Sequence, residues 1–149
     1  MDNPVLLLGA REDQRMTCYS PRGTIVRTAT DLFHLWQGLM GDGGFSRRSV
    51  WLLLLDEKGR PEPTIVPIDD LPDVPDRRSV NGLATLVSGL IAEGIAASIA
   101  LLVSRPGHRD MTEDDRRWAR ALAPVSGWPV HLATADHVQV FAPDDLVAA

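Results

Sequence analysis

Four side chains late in the chain are of types that bind metal or move protons: His108, Asp110, Asp115 and His131. A hydrolytic zinc takes about three protein ligands and keeps a position for water, with a carboxylate at hand to accept that water's proton. Two histidines and two aspartates could supply such a set, which defines one alternative, a metal-dependent hydrolase with a rebuilt site. Their spacing follows no standard ligand pattern, and loop histidines are ordinarily solvated. His131 stands between Val130 and Leu132. In a strand it faces away from both, which also suits a structural histidine. A Ser-His-Asp set can be drawn from Ser104, His131 and an aspartate, but no nucleophile-elbow motif surrounds Ser104. Cys18 is the single cysteine and carries no catalytic motif. It permits no intramolecular disulfide and suits a reducing, cytoplasmic setting.

The most chemistry-bearing stretch runs over 99–115. An apolar run, Ile-Ala-Leu-Leu-Val, feeds the turn Ser104-Arg105-Pro106-Gly107, and the turn feeds a polar helix start. Loops leaving a buried strand are where α/β proteins usually place chemistry. Thr112 can cap the helix, and Glu113, Asp114 and Asp115 suit the positive end of its dipole. Taken locally, Thr112-x-x-Asp115 resembles a capping box and needs no catalytic explanation.

The elements that must position these residues follow from periodicity. Residues 50–55, Val-Trp-Leu-Leu-Leu-Leu, are too short for a helix without a polar face, and read as a central strand buried on both sides. Residues 64–68 form a second strand that Pro67 pushes toward the sheet edge. Leu83, Leu86, Val87, Leu90 and Ile91 recur at helical spacing, with Ser79 or Asp76 as cap and Gly94 as left-handed stop. Strand 99–103 follows, and strand–helix–strand order implies parallel strands within a mixed sheet. Upstream, Thr30 is expected to cap a helix carrying Leu32, Phe33, Trp36, Leu39 and Met40. Before it, 5–8 reads as a strand and 20–23 as a hairpin turn. Downstream, Trp118 and Leu122 give the helix after Thr112 a buried face, and 128–134 with 137–141 form a hairpin.

Composition bounds the class. The 149 residues, 44% apolar and 23% charged, suit one soluble domain. A net charge of −5 argues against a broad basic surface for nucleic acid. Pro, Gly and charges interrupt every apolar run, so no membrane span is expected. Trp36, Trp51, Trp118 and Trp128 exceed what a small core strictly needs, which suggests a self-associating surface and hence a homodimer.

The order of elements from Trp51 to Phe141 resembles the RadC branch of the JAB/MPN family, whose active members are zinc peptidases or isopeptidases. That branch shows a strand ending as in Leu54-Leu55-Asp56, a second strand, a long helix and an Ala-rich strand as in Ala100-Leu101-Leu102-Val103. A His-x-His-Pro loop, a Ser-x-x-Asp helix start and a terminal strand pair, here with Val130-His131-Leu132, complete it. The resemblance implies a three-layer α/β/α sandwich with a mixed sheet, of the JAB/MPN or cytidine-deaminase-like kind. Residues 46–149 would be the core and 1–45 a helix-bearing extension of the same single domain.

The departures from the family pattern bear on activity. The two histidines fall on Val103 and Arg105; Pro106 is kept, the serine becomes Thr112, and the aspartate is Asp115. The family's general-base glutamate lies near Arg48 and Ser49, neither of them a carboxylate. Valine donates nothing, and arginine brings a permanent cation to where a dication would sit. The expectation is therefore a catalytically inactive domain with no catalytic residue, metal or cofactor, acting as a scaffold or binding module for a protein partner. Arg105 is expected either to replace the metal electrostatically by pairing with Asp115, or to point to solvent while Asp115 serves the helix terminus.

Overall fold

A computed structural model of the chain describes residues 25–41, 45–108, 110–135 and 137–147. The strand expected at 5–8, Cys18 and the turn at 20–23 lie outside them. The elements are α1 (Ala29–Met40), β1 (Ser49–Leu55), β2 (Pro61–Ile68), α2 (Arg77–Ala92), β3 (Ser98–Ser104), α3 (Glu113–Leu122), β4 (His131–Ala133) and β5 (Val138–Val140). A 3-10 turn (Pro143–Leu146) follows.

The five strands form one mixed sheet in the order β2-β1-β3-β4-β5. β1 lies antiparallel between β2 and β3, and its register with β3 is unbroken from Ser49↔Ser104 to Leu55↔Ser98. β3 and β4 are parallel across the α3 connection, and β4 and β5 are antiparallel. The strand–helix–strand unit through α2 does have parallel strands, but β2 and β3 are not neighbours, because β1 sits between them. β1 carries apolar side chains on both faces and suits the covered interior of the sheet, whereas Pro63 and Pro67 of β2 lack the amides a central strand would use. The final hairpin is shorter than the sequence pattern suggests. Pro129 has no N–H to continue the ladder. Isolated bonds persist past the strand ends, from Phe141 N to Val130 O at 3.0 Å and from Thr134 N to His137 O at 2.9 Å.

Alternation along the strands sorts side chains between two apolar clusters. Val50, Leu52, Leu54, Leu101 and Val103 pack with Leu83 and Val87 of α2 and with Trp118 and Leu122 of α3. On the opposite face Leu53, Leu55, Ala100 and Leu102 pack with Leu32, Trp36, Leu39 and Met40 of α1. Ile91 does not join the buried face of α2 but is 42% exposed. At 3.6 residues per turn it sits about 80° round the helix from Leu83, past the edge of the buried stripe. The four tryptophans are accounted for within the fold. Trp36 and Trp118 are fully buried, and the indoles of Trp51 and Trp128 donate to Ser104 Oγ and Ser98 Oγ.

Helix ends obey local chemistry. Thr28, not Thr30, caps α1, because only Thr28 can exchange hydrogen bonds with Asp31 in a capping box. Asp76 rather than Ser79 caps α2, accepting from Ser79 N at 3.0 Å. Gly94 follows α2 with φ of +76°, the left-handed geometry expected there. No helix among the described residues is long and apolar enough to cross a membrane.

Candidate functional site

Residues two apart in a strand share a face, so Arg48, just before β1, projects on the side of Val50, and Arg105, just after β3, on the side of Val103. Because β1 and β3 run antiparallel with Ser49 opposite Ser104, these two arginines emerge side by side at one end of the sheet. α3 crosses the same face and brings Asp115 to them. Arg48, Arg105 and Asp115 are 8%, 8% and 0% exposed.

Asp115 is the centre of the cluster. Arg105 donates from Nε to Oδ1 at 2.8 Å and to Oδ2 at 3.0 Å, and from Nη2 to Oδ2 at 2.8 Å. This is a bidentate, charge-assisted pair. Arg48 Nη1 adds a bond to Oδ1 at 3.1 Å. Thr112 closes the set, since its N–H donates to Asp115 Oδ2 at 2.9 Å and its Oγ1 accepts from Asp115 N at 3.2 Å. The two sequence readings of Asp115, helix cap and arginine partner, hold together, because a carboxylate has lone pairs enough for both. Burial pushes the Asp115 carboxyl up, but the Arg105 hydrogen bonds, the Thr112 amide and Arg48 outweigh it and hold it below the usual carboxylate value.

Arg105 also organises the loop it opens. Its Nη1 donates to Pro106 O at 2.9 Å and its Nη2 to Asp110 O at 2.8 Å. Gly107 makes room for this. Its φ is +102°, and a Cβ there would lie 3.3 Å from Arg105 Nη1. Above the cluster, Trp118 Nε1 donates to the carbonyls of Pro72 and Asp73, tying the loop after β2 to α3.

Of the positions where the resemblance would place a metal centre, Arg48, Val103, Arg105, Pro106, Thr112 and Asp115 do share one end of one face. Ser49 does not face this cluster; its hydroxyl donates to Asp69 Oδ1 at 2.6 Å. The residues present do not fit zinc. One carboxylate saturated by two guanidinium groups, beside a buried valine, offers no ligand set. Among the described residues no group of three or more His, Cys, Asp or Glu side chains could hold a metal ion.

The alternative cluster of His108, Asp110, Asp115 and His131 does not converge. His131 pairs with Leu102 in the β3–β4 register and stacks on Phe33 of α1, with ring centroids 6.2 Å apart. It therefore lies on the opposite face of the sheet from Asp115. His108 and Asp110 are exposed, and Asp110 meets the arginine cluster only through its carbonyl. Ser104 accepts from Trp51, and no hydrogen bond joins it to His131. His131 Nδ1 lies 3.2 Å from Pro129 O, while Nε2 is buried without a partner. Burial pushes its pKa down to about 4, against a smaller opposing effect of the Pro129 carbonyl.

Sequence reasoning found Arg105 and Asp115 but missed the contribution of Arg48, noted only as standing where a glutamate was expected. The signal was its spacing, two residues before an apolar strand, on the face the strand buries. No protein-family model matches the chain, and no curated protein matches its sequence.

Proposed function

We propose that this chain is a non-catalytic, JAB/MPN-like domain of the RadC kind, a three-layer α/β/α sandwich working in the cytoplasm as a scaffold or binding module. The observation that carries this reading is the Arg48–Asp115–Arg105 cluster. Where hydrolysis would need open metal positions and a free base, two cations fill the space and saturate the one carboxylate. The cluster then serves cohesion, joining β1, the loop after β3 and α3 into one rigid end of the sheet. The ligand of the module is a protein partner, and a second copy of the chain, forming a homodimer, is one such partner.

The test is metal and activity together. Protein purified without chelator and without a metal-binding tag is expected to carry far less than one equivalent of zinc by elemental analysis. It is also expected to leave peptide and isopeptide substrates intact. Stoichiometric zinc lost on replacing Asp115 by Ala would refute the reading.

A further inference from the structure

The two arginines of the cluster are not equally used. Arg105 engages the Asp115 carboxylate through its Nε–Nη2 edge and also donates to the carbonyls of Pro106 and Asp110. Arg48 gives that carboxylate Nη1 alone. Its own Nε–Nη2 edge makes no hydrogen bond among the described residues, and its Nε is buried without a partner. That edge is the side of a guanidinium that takes both oxygens of a carboxylate at once, as Arg105 shows.

The charges do not balance either. Two guanidinium groups, with side chains 7% and 10% exposed, face one fully buried carboxylate, which leaves one positive charge below the surface. A buried charge without a partner is costly. The loop after β2 carries four carboxylates near enough in sequence to answer it. Asp69 faces Ser49, Asp70 faces Arg47 and Asp76 caps α2. Asp73 comes nearest, with Oδ1 4.0 Å from Arg48 Nε, beyond hydrogen-bond reach, and its side chain is 86% exposed. A carboxylate so exposed is screened by solvent and offsets little of the charge.

Asp73 also marks the way in. Its backbone is held, because Trp118 Nε1 donates to the carbonyls of Pro72 and Asp73, and Leu71 N donates to Arg48 O at 3.1 Å. Its side chain is free to turn into solvent while the loop stays in place. The free edge of Arg48 thus lies one side chain below the surface. The position where the resemblance would put a dication carries a net cation of its own and calls for the opposite charge.

We propose that the Nε–Nη2 edge of Arg48 is a binding site for one carboxylate of a protein partner, which takes the place of the Asp73 side chain and balances the cluster. A carboxylate is planar, two-pronged and singly charged, which matches the open edge and the one charge left over; a phosphate brings more charge than the cluster leaves. This rests on the binding-module reading above and names the chemical group the module recognises.

Nuclear magnetic resonance of the arginine Nε–H groups in isotope-labelled protein tests it, with sodium acetate exchanged for sodium chloride at constant ionic strength and neutral pH. The Arg48 signal, identified by its loss in Arg48→Lys, is expected to move and saturate in the millimolar range while the Arg105 signal stays in place. Asp73→Asn changes only an exposed side chain, keeps the fold and should tighten acetate about threefold. Two short peptides then locate the group in the partner, one ending in a free carboxylate, the other amidated and carrying a single glutamate. One of them is expected to bind at least about tenfold tighter than acetate, and which one it is says whether a chain terminus or an acidic side chain is recognised. An Arg48 signal that does not move, or that moves together with every other arginine, overturns the proposal. So does acetate binding confined to Asp73→Asn, since Asp73 then closes the edge itself. Tighter binding of inorganic phosphate overturns it too, as do peptides no tighter than acetate. Zinc content does not depend on the free edge of Arg48, so failure here leaves the non-catalytic reading to its own test.

Discussion

Breaking the Arg105–Asp115 pair should expose how much of the fold's cohesion rests on it. Three of the five hydrogen bonds to the Asp115 carboxylate come from Arg105. Asp115→Ala leaves two guanidinium groups buried without their anion, a loss of about 3–5 kcal/mol. It also removes half of the capping box, worth about 1 kcal/mol more. Arg105→Ala leaves Asp115 with Arg48 and the Thr112 amide alone, at a cost of about 3 kcal/mol. The double variant no longer buries an anion deprived of its main partner, so its loss should fall short of the sum by at least about 2 kcal/mol. Urea unfolding followed by tryptophan fluorescence, to which buried Trp36 and Trp118 contribute, measures all four corners of the cycle. Because the Asp115 pKa is lowered, the coupling is fully present above the ordinary carboxylate value and should fade as pH falls through the lowered one. Losses that add to within about 0.5 kcal/mol would mean that the two side chains stand together without holding each other, and would refute the reasoning.

Two further outcomes are expected. The folded-state pKa of His131, about 4, lies below its ordinary 6.5. The unfolded chain therefore binds the proton first, and stability complete above about pH 6.5 should decline toward pH 4 by about 3 kcal/mol. Replacing His131 by Phe should flatten that part of the stability–pH curve; an unchanged curve would show that the histidine is solvated. On α2, Leu83→Ala should cost about 2–5 kcal/mol, because its side chain is enclosed between helix and sheet. Ile91→Ala should change denaturation midpoints little, and equal losses at both would mean that the buried face is misassigned.

What was legible in the sequence was what one segment dictates to itself. The unbroken apolar run of β1 announced a strand covered on both faces. Pro67 announced an edge, and the spacing of Leu83 and Val87 announced a helix with one buried side. Thr112 with Asp115 announced a capped helix start, because capping is an exchange between residues three apart. The Arg105–Asp115 pair stood only as one of two alternatives, and it came from the resemblance, which places a cation beside that acid, rather than from local spacing.

Tertiary structure decided what depends on residues distant in the chain. That β1 lies between β2 and β3 follows from which edges remain free once each strand's hydrogen-bonding needs compete, and no single segment records that outcome. Arg48 reaches Asp115 from 67 residues away, through a register between β1 and β3 that the sequence never states. His131 turned from a candidate ligand into a buried ring against Phe33 because the parallel pairing of β4 with β3 settled which side of the sheet it faces. Local sequence sets a side chain's period and its cap. The face it meets, and the charge it finds there, are set by which strands pair and in what register.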